Sequence, residues 1–293
     1  KLDTDRDNLA WLSLDKAESS ANVLSAEVMS ELNTILDQLV AEKPRGLIVR
    51  SGKDSGFIAG ADIEEFTRLK DVDDVIRLVR RGWDLYNKLA ALPFPTLALV
   101  SGFCMGGGVE MALACRYRVA VDQPGTRFAL PEVMLGILPG WGGVKRLPGL
   151  VGPSAALDMM LTGRSIDARR AKKMGLVDDA VPPRVAENAA RTVVREAPPP
   201  RRLPLVQWLL NGPLKVAVAR SWHDTSLVER VTPSSTMITP PWSRNEVDEV
   251  PSAGRGGGGF VLCVIRRRSK SGSPWTTPFN APEGANVAAA RGT

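Results

Sequence analysis

The sequence predicts an α/β fold in which short buried strands alternate with amphipathic helices. Three apolar runs have the length of buried strands, at residues 46–50, 96–100 and 117–121. Two longer segments, 24–39 and 75–92, carry apolar residues at three- and four-residue spacing, which is typical of helices with one buried face. We therefore expect a layered catalytic core over residues 1–195.

The composition indicates a soluble globular protein, because 44% of the residues are hydrophobic and 24% are charged. The sequence has no apolar run of about 18 residues, so we expect no membrane span. The three cysteines are odd in number and lack the spacing of metal ligands. We expect buried thiols and a reducing, cytoplasmic location: Cys104, Cys115 and Cys263.

The character of the chain changes after about residue 196. We assign residues 196–220 to a linker with one further helix within 203–219, and residues 221–293 to an irregular, low-complexity tail. This tail is either disordered or the product of a shifted reading frame. The second alternative is suggested by the tryptophans, because four of the seven lie beyond residue 200, which is unusual for a disordered tail. The net charge of +6 arises entirely beyond that point, so the pI does not indicate nucleic-acid binding by the core. An alternative is that the Arg-Gly segments of the tail tether nucleic acid.

Two short stretches carry the candidate chemistry. Three glycines, 106–108, are followed by Glu110, and Leu130-Pro131 is followed by Glu132. A glycine run lets the backbone approach a ligand and direct its N–H groups toward it. The pattern favours an oxyanion-binding loop with two acid/base groups. Each part also has a simpler explanation: the glycines form a flexible turn, and each glutamate stabilises the beginning of a helix.

A second loop, residues 51–56, leaves the first predicted strand and continues into residues 57–62. Ligands of open α/β folds bind beyond strand ends. We expect the triple glycine to follow directly on the strand at 96–100, so that both loops form one site. The one histidine, His223, lies in the predicted tail, which argues against a Ser-His-Asp hydrolase in the core. The sequence also has no Gly-Lys-Ser/Thr phosphate loop.

Several segments, in this order along the chain, resemble the enoyl-CoA hydratase/isomerase (crotonase) superfamily: 22–25, 59–63, 106–110, 130–132, 135–143 and 161–178. The resemblance is greatest to the N-terminal hydratase half of the multifunctional fatty-acid β-oxidation α subunit. It spans roughly residues 1–190 and implies a core built as a ββα spiral. Nothing in the sequence resembles the dehydrogenase half of that subunit.

The resemblance implies a chemistry and its residues. The N–H groups of Ala61 and Gly107 would hold the carbonyl oxygen of a CoA thioester. Glu110 and Glu132 would flank the substrate double bond as the acid/base pair of a hydratase. Two glutamates favour hydration of a 2-trans-enoyl-CoA to a 3-hydroxyacyl-CoA, and Glu132 alone would serve a Δ3,Δ2-enoyl-CoA isomerase activity.

The resemblance also implies substrate contacts by nine residues: Asn22, Val23, Leu24, Lys53, Ala59, Gly60, Asp62, Ile63 and Trp141. For three of them another role stays open: Lys53 as a solvated loop residue, Trp141 as core packing and Asp62 as a local structural acceptor. We expect no metal and no cofactor, since the CoA thioester is itself the substrate. Expected partners are a homo-oligomer or, for an intact chain, a β-oxidation complex with a thiolase. The alternative to an enzyme is a truncated or frame-shifted remnant that binds acyl-CoA without turnover.

Overall fold

The computed structural model describes residues 1–201, 203 and 205–211. Within these residues the strands are β1 Leu2–Thr4, β2 Leu9–Leu14, β3 Gly46–Ser51, β4 Gly56–Ile58, β5 Thr96–Val100, β6 Phe103–Met105, β7 Tyr117–Val121, β8 Arg127–Ala129, β9 Ile166–Asp167 and β10 Asp179–Val181.

The helices of the same residues are α1 Ala26–Glu42, α2 Ile63–Thr67, α3 Val72–Ala90, α4 Gly107–Ala114, α5 Gly143–Val151, α6 Pro153–Thr162, α7 Ala168–Met174, α8 Ala186–Glu196 and α9 Leu205–Asn211. Two 3₁₀ helices span Pro131–Leu135 and Pro183–Val185. None of these helices is both long and apolar enough to cross a bilayer.

The strands form two sheets of different size. The larger sheet has the order β1-β2-β3-β5-β7-β10, and the smaller has the order β4-β6-β8-β9. All neighbours from β2 to β10 in the larger sheet are parallel, as are β4, β6 and β8 in the smaller. Parallel sheets need covering on their faces, which the helices provide.

The two sheets arise from a repeated ββα unit. In each of three successive turns the first strand joins the larger sheet (β3, β5, β7) and the second joins the smaller (β4, β6, β8). One or more helices then follow before the next turn begins. This arrangement is the ββα spiral that the resemblance implies.

Local sequence explains where the long helices begin and end. The side chain of Ser25 accepts a hydrogen bond from Val28 N–H at the start of α1, and Asp71 accepts one from Asp74 N–H at the start of α3. Helix α1 ends at Lys43, which has left-handed backbone angles. In α3 the buried residues recur on one face, against the core: Leu78, Gly82, Leu85, Tyr86 and Leu89.

The three strands predicted from apolar runs are confirmed as β3, β5 and β7, and the two predicted helices as α1 and α3. Helix α9 lies within the segment 203–219, where one further helix was expected. The predicted tail, 221–293, lies outside the described residues. One prediction was wrong: the triple glycine does not follow directly on the strand at 96–100, because β6 lies between them. Strands of three residues are too short to show periodicity in a sequence.

Candidate active site

The candidate site lies at the carboxyl ends of the three parallel strands of the smaller sheet. Ala61 follows β4, Gly107 follows β6, and Glu132 follows β8, each within three residues of the strand end. Parallel pairing of Ile58 with Cys104 and of Met105 with Ala129 brings these ends to one edge. Ligands of parallel sheets bind at such an edge, so the topology alone assembles three of the predicted functional segments.

The backbone around Ala61 is fixed by a short parallel bridge to Leu24. Leu24 N–H donates to Gly60 O at 2.9 Å, and Asp62 N–H donates to Leu24 O at 3.2 Å. Among the backbone bonds of the described residues, none is donated by Ala61 N–H. Gly60 has a φ of 122°, a conformation that side-chain-bearing residues rarely adopt. The Ala61 N–H is therefore held in place and is free to bind a ligand.

Gly107 supplies the second predicted donor from the first position of α4. The first N–H groups of a helix have no partner within it, and Gly106 N–H continues the sheet by donating to Ala129 O at 2.9 Å. A Cβ atom at Gly107 would lie 2.5 Å from the ring of Trp141, so a larger residue would have to displace that ring. The buried hydroxyl of Tyr86 donates to Gly107 O at 2.8 Å and fixes this end of the helix.

Glu110 is a buried carboxyl group, 2% exposed, in the first turn of α4. Its Oε1 atom accepts hydrogen bonds from Trp141 N–H at 2.8 Å and from Gly143 N–H at 2.7 Å. Burial, and then the charge of Glu132, raises the pKa of Glu110 from 4.5 to about 8, against the opposite effect of the two N–H groups. Such a carboxyl group is suited to hold or release a proton near neutral pH.

Glu132 lies in the 3₁₀ helix Pro131–Leu135, which begins with a proline. Its Oε2 atom is buried and has no hydrogen-bond partner in the described residues. Its Oε1 atom lies 3.0 Å from the place where a Cβ atom at Gly106 would be. Burial raises the pKa of Glu132 to about 7. An unpartnered buried oxygen of this kind is available to a substrate or to water.

A cavity of about 300 Å³ joins these groups. Its wall is almost entirely apolar apart from the two glutamates and the backbone of the two donor segments. Eight of the predicted site residues line it: Ala59, Gly60, Ala61, Ile63, Gly107, Glu110, Glu132 and Trp141. A cavity with apolar walls and a few convergent polar groups is typical of a small-molecule site.

The other five predicted substrate contacts do not line this cavity. Val23 and Leu24 border a separate cavity of about 70 Å³, together with Asn22. The buried Asn22 amide donates to Leu14 O, Ser51 Oγ and Phe57 O at 2.9–3.1 Å, and therefore ties three segments together.

Lys53 and Asp62 both form ion pairs outside the main cavity. Lys53 Nζ lies 2.7 Å from Asp15 Oδ1. Asp62 lies 3.6 Å from Lys16 Nζ, and its Oδ1 atom accepts a hydrogen bond from Glu64 N–H at the start of α2. This is the local structural acceptor that the sequence left open for Asp62. Contacts of either residue with a substrate stay predictions.

Sequence reasoning missed much of the cavity wall. Helices α2 and α3, the loop between them and the segment after Glu132 contribute apolar side chains that were not predicted as site residues: Phe66, Leu69, Val75, Leu78, Val79, Leu135, Ile137 and Leu138. Val75, Leu78 and Val79 belong to the apolar pattern that predicted α3. A pattern of this kind reveals the apolar face of a helix, but it does not distinguish core packing from the wall of a cavity.

No group of three or more His, Cys, Asp or Glu side chains with the arrangement of a metal site occurs in the part of the chain that the structure describes. Of the predicted buried thiols, Cys104 and Cys115 are buried, and Cys263 lies outside the described residues. Burial raises the pKa of both thiols, to about 12 for Cys115. Both cysteines therefore pack in the core as neutral thiols and are not reactive thiolates.

Comparison with known proteins places this geometry in a family. The sequence profile of the enoyl-CoA hydratase/isomerase family matches residues 5–208. A solved enoyl-CoA hydratase from Bacillus anthracis is 30% identical with a TM-score of 0.63, over 78% of this chain and 89% of that one. An enoyl-CoA hydratase from Geobacillus kaustophilus is 34% identical with a TM-score of 0.61, over 66% of this chain and 72% of that one. The chain therefore belongs to the enoyl-CoA hydratase/isomerase family of the crotonase superfamily.

Proposed function

We propose that the protein hydrates 2-trans-enoyl-CoA to 3-hydroxyacyl-CoA. The observation that carries this proposal is the presence of two glutamates, the buried Glu110 and the partly buried Glu132, on one apolar cavity that also contains two backbone donor segments. Hydration adds a hydroxyl group and a proton across one double bond, so it needs one group that activates water and another that donates a proton to C2.

The protonation state of the pair suits this task. The pKa values of Glu110 and Glu132 are raised to about 8 and about 7, so the pair retains at least one proton at neutral pH and Glu132 is the more readily ionised of the two. One carboxylate is then available as the base for water while the other delivers a proton. The thioester oxygen, on which charge develops, would accept from Ala61 N–H and Gly107 N–H. A single donor of this kind contributes about 2.7–4 kcal/mol to transition-state stabilisation.

Hydration of crotonyl-CoA by the full chain tests the proposal. We expect turnover by the wild type and a loss of at least about 100-fold in Glu110→Gln and in Glu132→Gln. Glu42→Gln, at an exposed position at the end of α1 that lines neither cavity, is the matched control and should retain activity. Unaltered turnover in either active-site variant would remove that residue from the mechanism. Binding of crotonyl-CoA without turnover by the wild type would favour the remnant hypothesis.

A Δ3,Δ2-enoyl-CoA isomerase activity is the second candidate, favoured by the unpartnered Oε2 atom of Glu132. This atom is free to move a proton between two carbons without help from Glu110. With a 3-enoyl-CoA substrate, Glu132→Gln should lose isomerisation and Glu110→Gln should retain most of it. Equal losses in both variants would argue against a one-base isomerase.

The wider context stays a prediction. A role in β-oxidation, close similarity to the multifunctional α subunit, a cytoplasmic location and a homo-oligomer or thiolase complex all follow from the resemblance stated above. Contact of Lys53 with CoA also stays a prediction. In Lys53→Met we expect a higher KM for crotonyl-CoA at unchanged kcat, and an unchanged KM would leave Lys53 as the partner of Asp15 alone.

A further inference from the structure

Arg146, on α5, lies behind the turn of residues 140–143, which we call the Trp141 turn. Its Nη1 atom donates to Trp141 O at 3.1 Å, and its Nη2 atom donates to Asn87 Oδ1 on α3 at 2.7 Å. Gly142 has a φ of 113°, and a Cβ atom there would lie 1.8 Å from Arg146 Nη1. The guanidinium group is therefore in direct contact with the backbone of the turn and connects it to α3.

The same turn holds Glu110 from its other side. Trp141 N–H and Gly143 N–H both donate to Glu110 Oε1. Trp141 thus donates its N–H to the glutamate and accepts from Arg146 through its carbonyl group. Displacement of the turn would therefore change the position of the Glu110 carboxylate as well as its hydrogen bonds.

The charge of Arg146 also acts on Glu110. Several titratable groups affect Glu110 or its neighbour Tyr86: Glu132, Tyr86, Cys104, Cys115 and Arg146. The tyrosine and the two thiols are neutral near pH 7, because burial raises the pKa of each. Glu132 and Arg146 are then the charged groups of this set, and they act in opposite directions. Arg146 is half-buried, so water screens its charge only partly.

We propose that Arg146 is a positioning residue that fixes the Trp141 turn against Glu110 and supplies the positive charge that favours the glutamate in its ionised form. The catalytic consequence rests on the proposed hydratase function. Arg146 does not line the cavity, so it acts through Glu110 and not on the substrate. Because Arg146 also donates to Asn87, α3 helps to hold the guanidinium group against the Trp141 turn.

Three variants separate charge from geometry. Arg146→Met removes the charge and both hydrogen bonds, Arg146→Lys retains the charge, and Asn87→Ala releases the guanidinium group from α3. Arg170→Met, at an exposed position of α7, is the control for loss of a positive charge. Two measurements follow in the full chain: NMR titration of ¹³C-labelled glutamate carboxyl groups and the pH dependence of kcat for crotonyl-CoA. The signal that disappears in Glu110→Gln identifies Glu110.

In Arg146→Met we expect the titration midpoint of Glu110 to rise by at least about 0.5 pH unit. The alkaline limb of the kcat profile should move in the same direction, because loss of the Glu110 proton defines it. We expect kcat at pH 7 to fall roughly 10- to 100-fold, with a much smaller change in KM. Arg146→Lys should keep a titration midpoint near that of the wild type, and Asn87→Ala should lower kcat at a nearly unchanged midpoint.

If Arg146→Met has the same Glu110 titration midpoint as the wild type and an unshifted kcat profile, the proposal is overturned and Arg146 is a purely structural residue. If Arg146→Met does not fold, Arg146→Lys and Asn87→Ala test the proposal instead. Wild-type kcat in both variants would overturn it. Failure of the proposed function is distinguishable from these results. A wild type without hydratase activity would refute the function, while the NMR titration would still report whether Arg146 controls Glu110.

Discussion

Replacing Glu110 by glutamine should make the folded protein less sensitive to rising pH. Since burial raises the pKa of Glu110 above that of an unfolded chain, the folded state binds this proton more tightly. The resulting stabilisation is fully present below the unfolded pKa and is lost as the pH rises through the folded one. Glutamine has no proton to lose, and its carbonyl oxygen can still accept from the Trp141 turn.

The magnitude follows from the two pKa values. For a shift from 4.5 to about 8, linkage gives a stabilisation that decreases by about 3–4 kcal/mol between pH 5 and pH 8. The free energy of unfolding of Glu110→Gln relative to the wild type should increase by the same amount over this range. Glu132 is present in both proteins, so its own titration largely cancels from the difference.

Urea unfolding followed by circular dichroism at pH 5, 6, 7 and 8 measures this difference. Glu42→Gln, the exposed control, should follow the wild type at every pH. If Glu110→Gln follows the wild type too, Glu110 does not retain its proton in the folded state. The inference that the pair retains a proton near neutral pH would then fail, and the hydratase mechanism would lose its main electrostatic support.

Four further substitutions test the packing around the cavity and in α5. Gly107→Ala brings a methyl group within 2.5 Å of the Trp141 ring and should cost about 1–3 kcal/mol of unfolding free energy and much of kcat. Gly149→Ala meets no heavy atom within 4 Å in α5 and should instead add roughly 0.5–1 kcal/mol in the same urea assay. Tyr86→Phe removes the side-chain hydrogen bond to Gly107 O, which keeps its bond within α4, and should cost about 0.5–1.5 kcal/mol, so unchanged stability would contradict a stabilising role of this bond. Val79→Phe should reduce kcat/KM for long enoyl chains more than for crotonyl-CoA, and an unchanged ratio would remove α3 from the acyl site.

The sequence predicted those parts of the fold that are long enough to show a pattern. The five-residue runs of β5 and β7 and the long helices α1 and α3 have clear periodicity or sustained apolar character. The strands β4, β6 and β8 have three residues each, and their burial comes from tertiary packing. They could not be recognised from local sequence, although they position the site.

The site was predictable where backbone chemistry restricts the residue type. Glycine at 107 is required by close packing against Trp141, and a pair of glutamates is unusual in an apolar setting. The roles of Asn22 and Arg146 were not predictable in this way. Asn22 reaches Phe57 O and Arg146 reaches Asn87 Oδ1, both distant in sequence, and no local pattern reports which distant group a side chain reaches.

The two proposed oxyanion donors owe their position to the end of the smaller sheet. Gly106 N–H makes the last bond of the β6–β8 pairing with Ala129 O, and Gly107 N–H is the next donor along the chain. On the neighbouring strand the bridge to Leu24 uses the carbonyl group of Gly60 and the N–H of Asp62, so that Ala61 N–H between them stays unpaired. Gly107 N–H is therefore the first unpaired donor beyond the β6–β8 pairing, and Ala61 N–H is an unpaired donor within the bridge, so backbone pairing orients both. A bulky residue at Ala61 should consequently impair catalysis by filling the cavity while leaving this backbone arrangement, and hence the stability of the fold, largely intact.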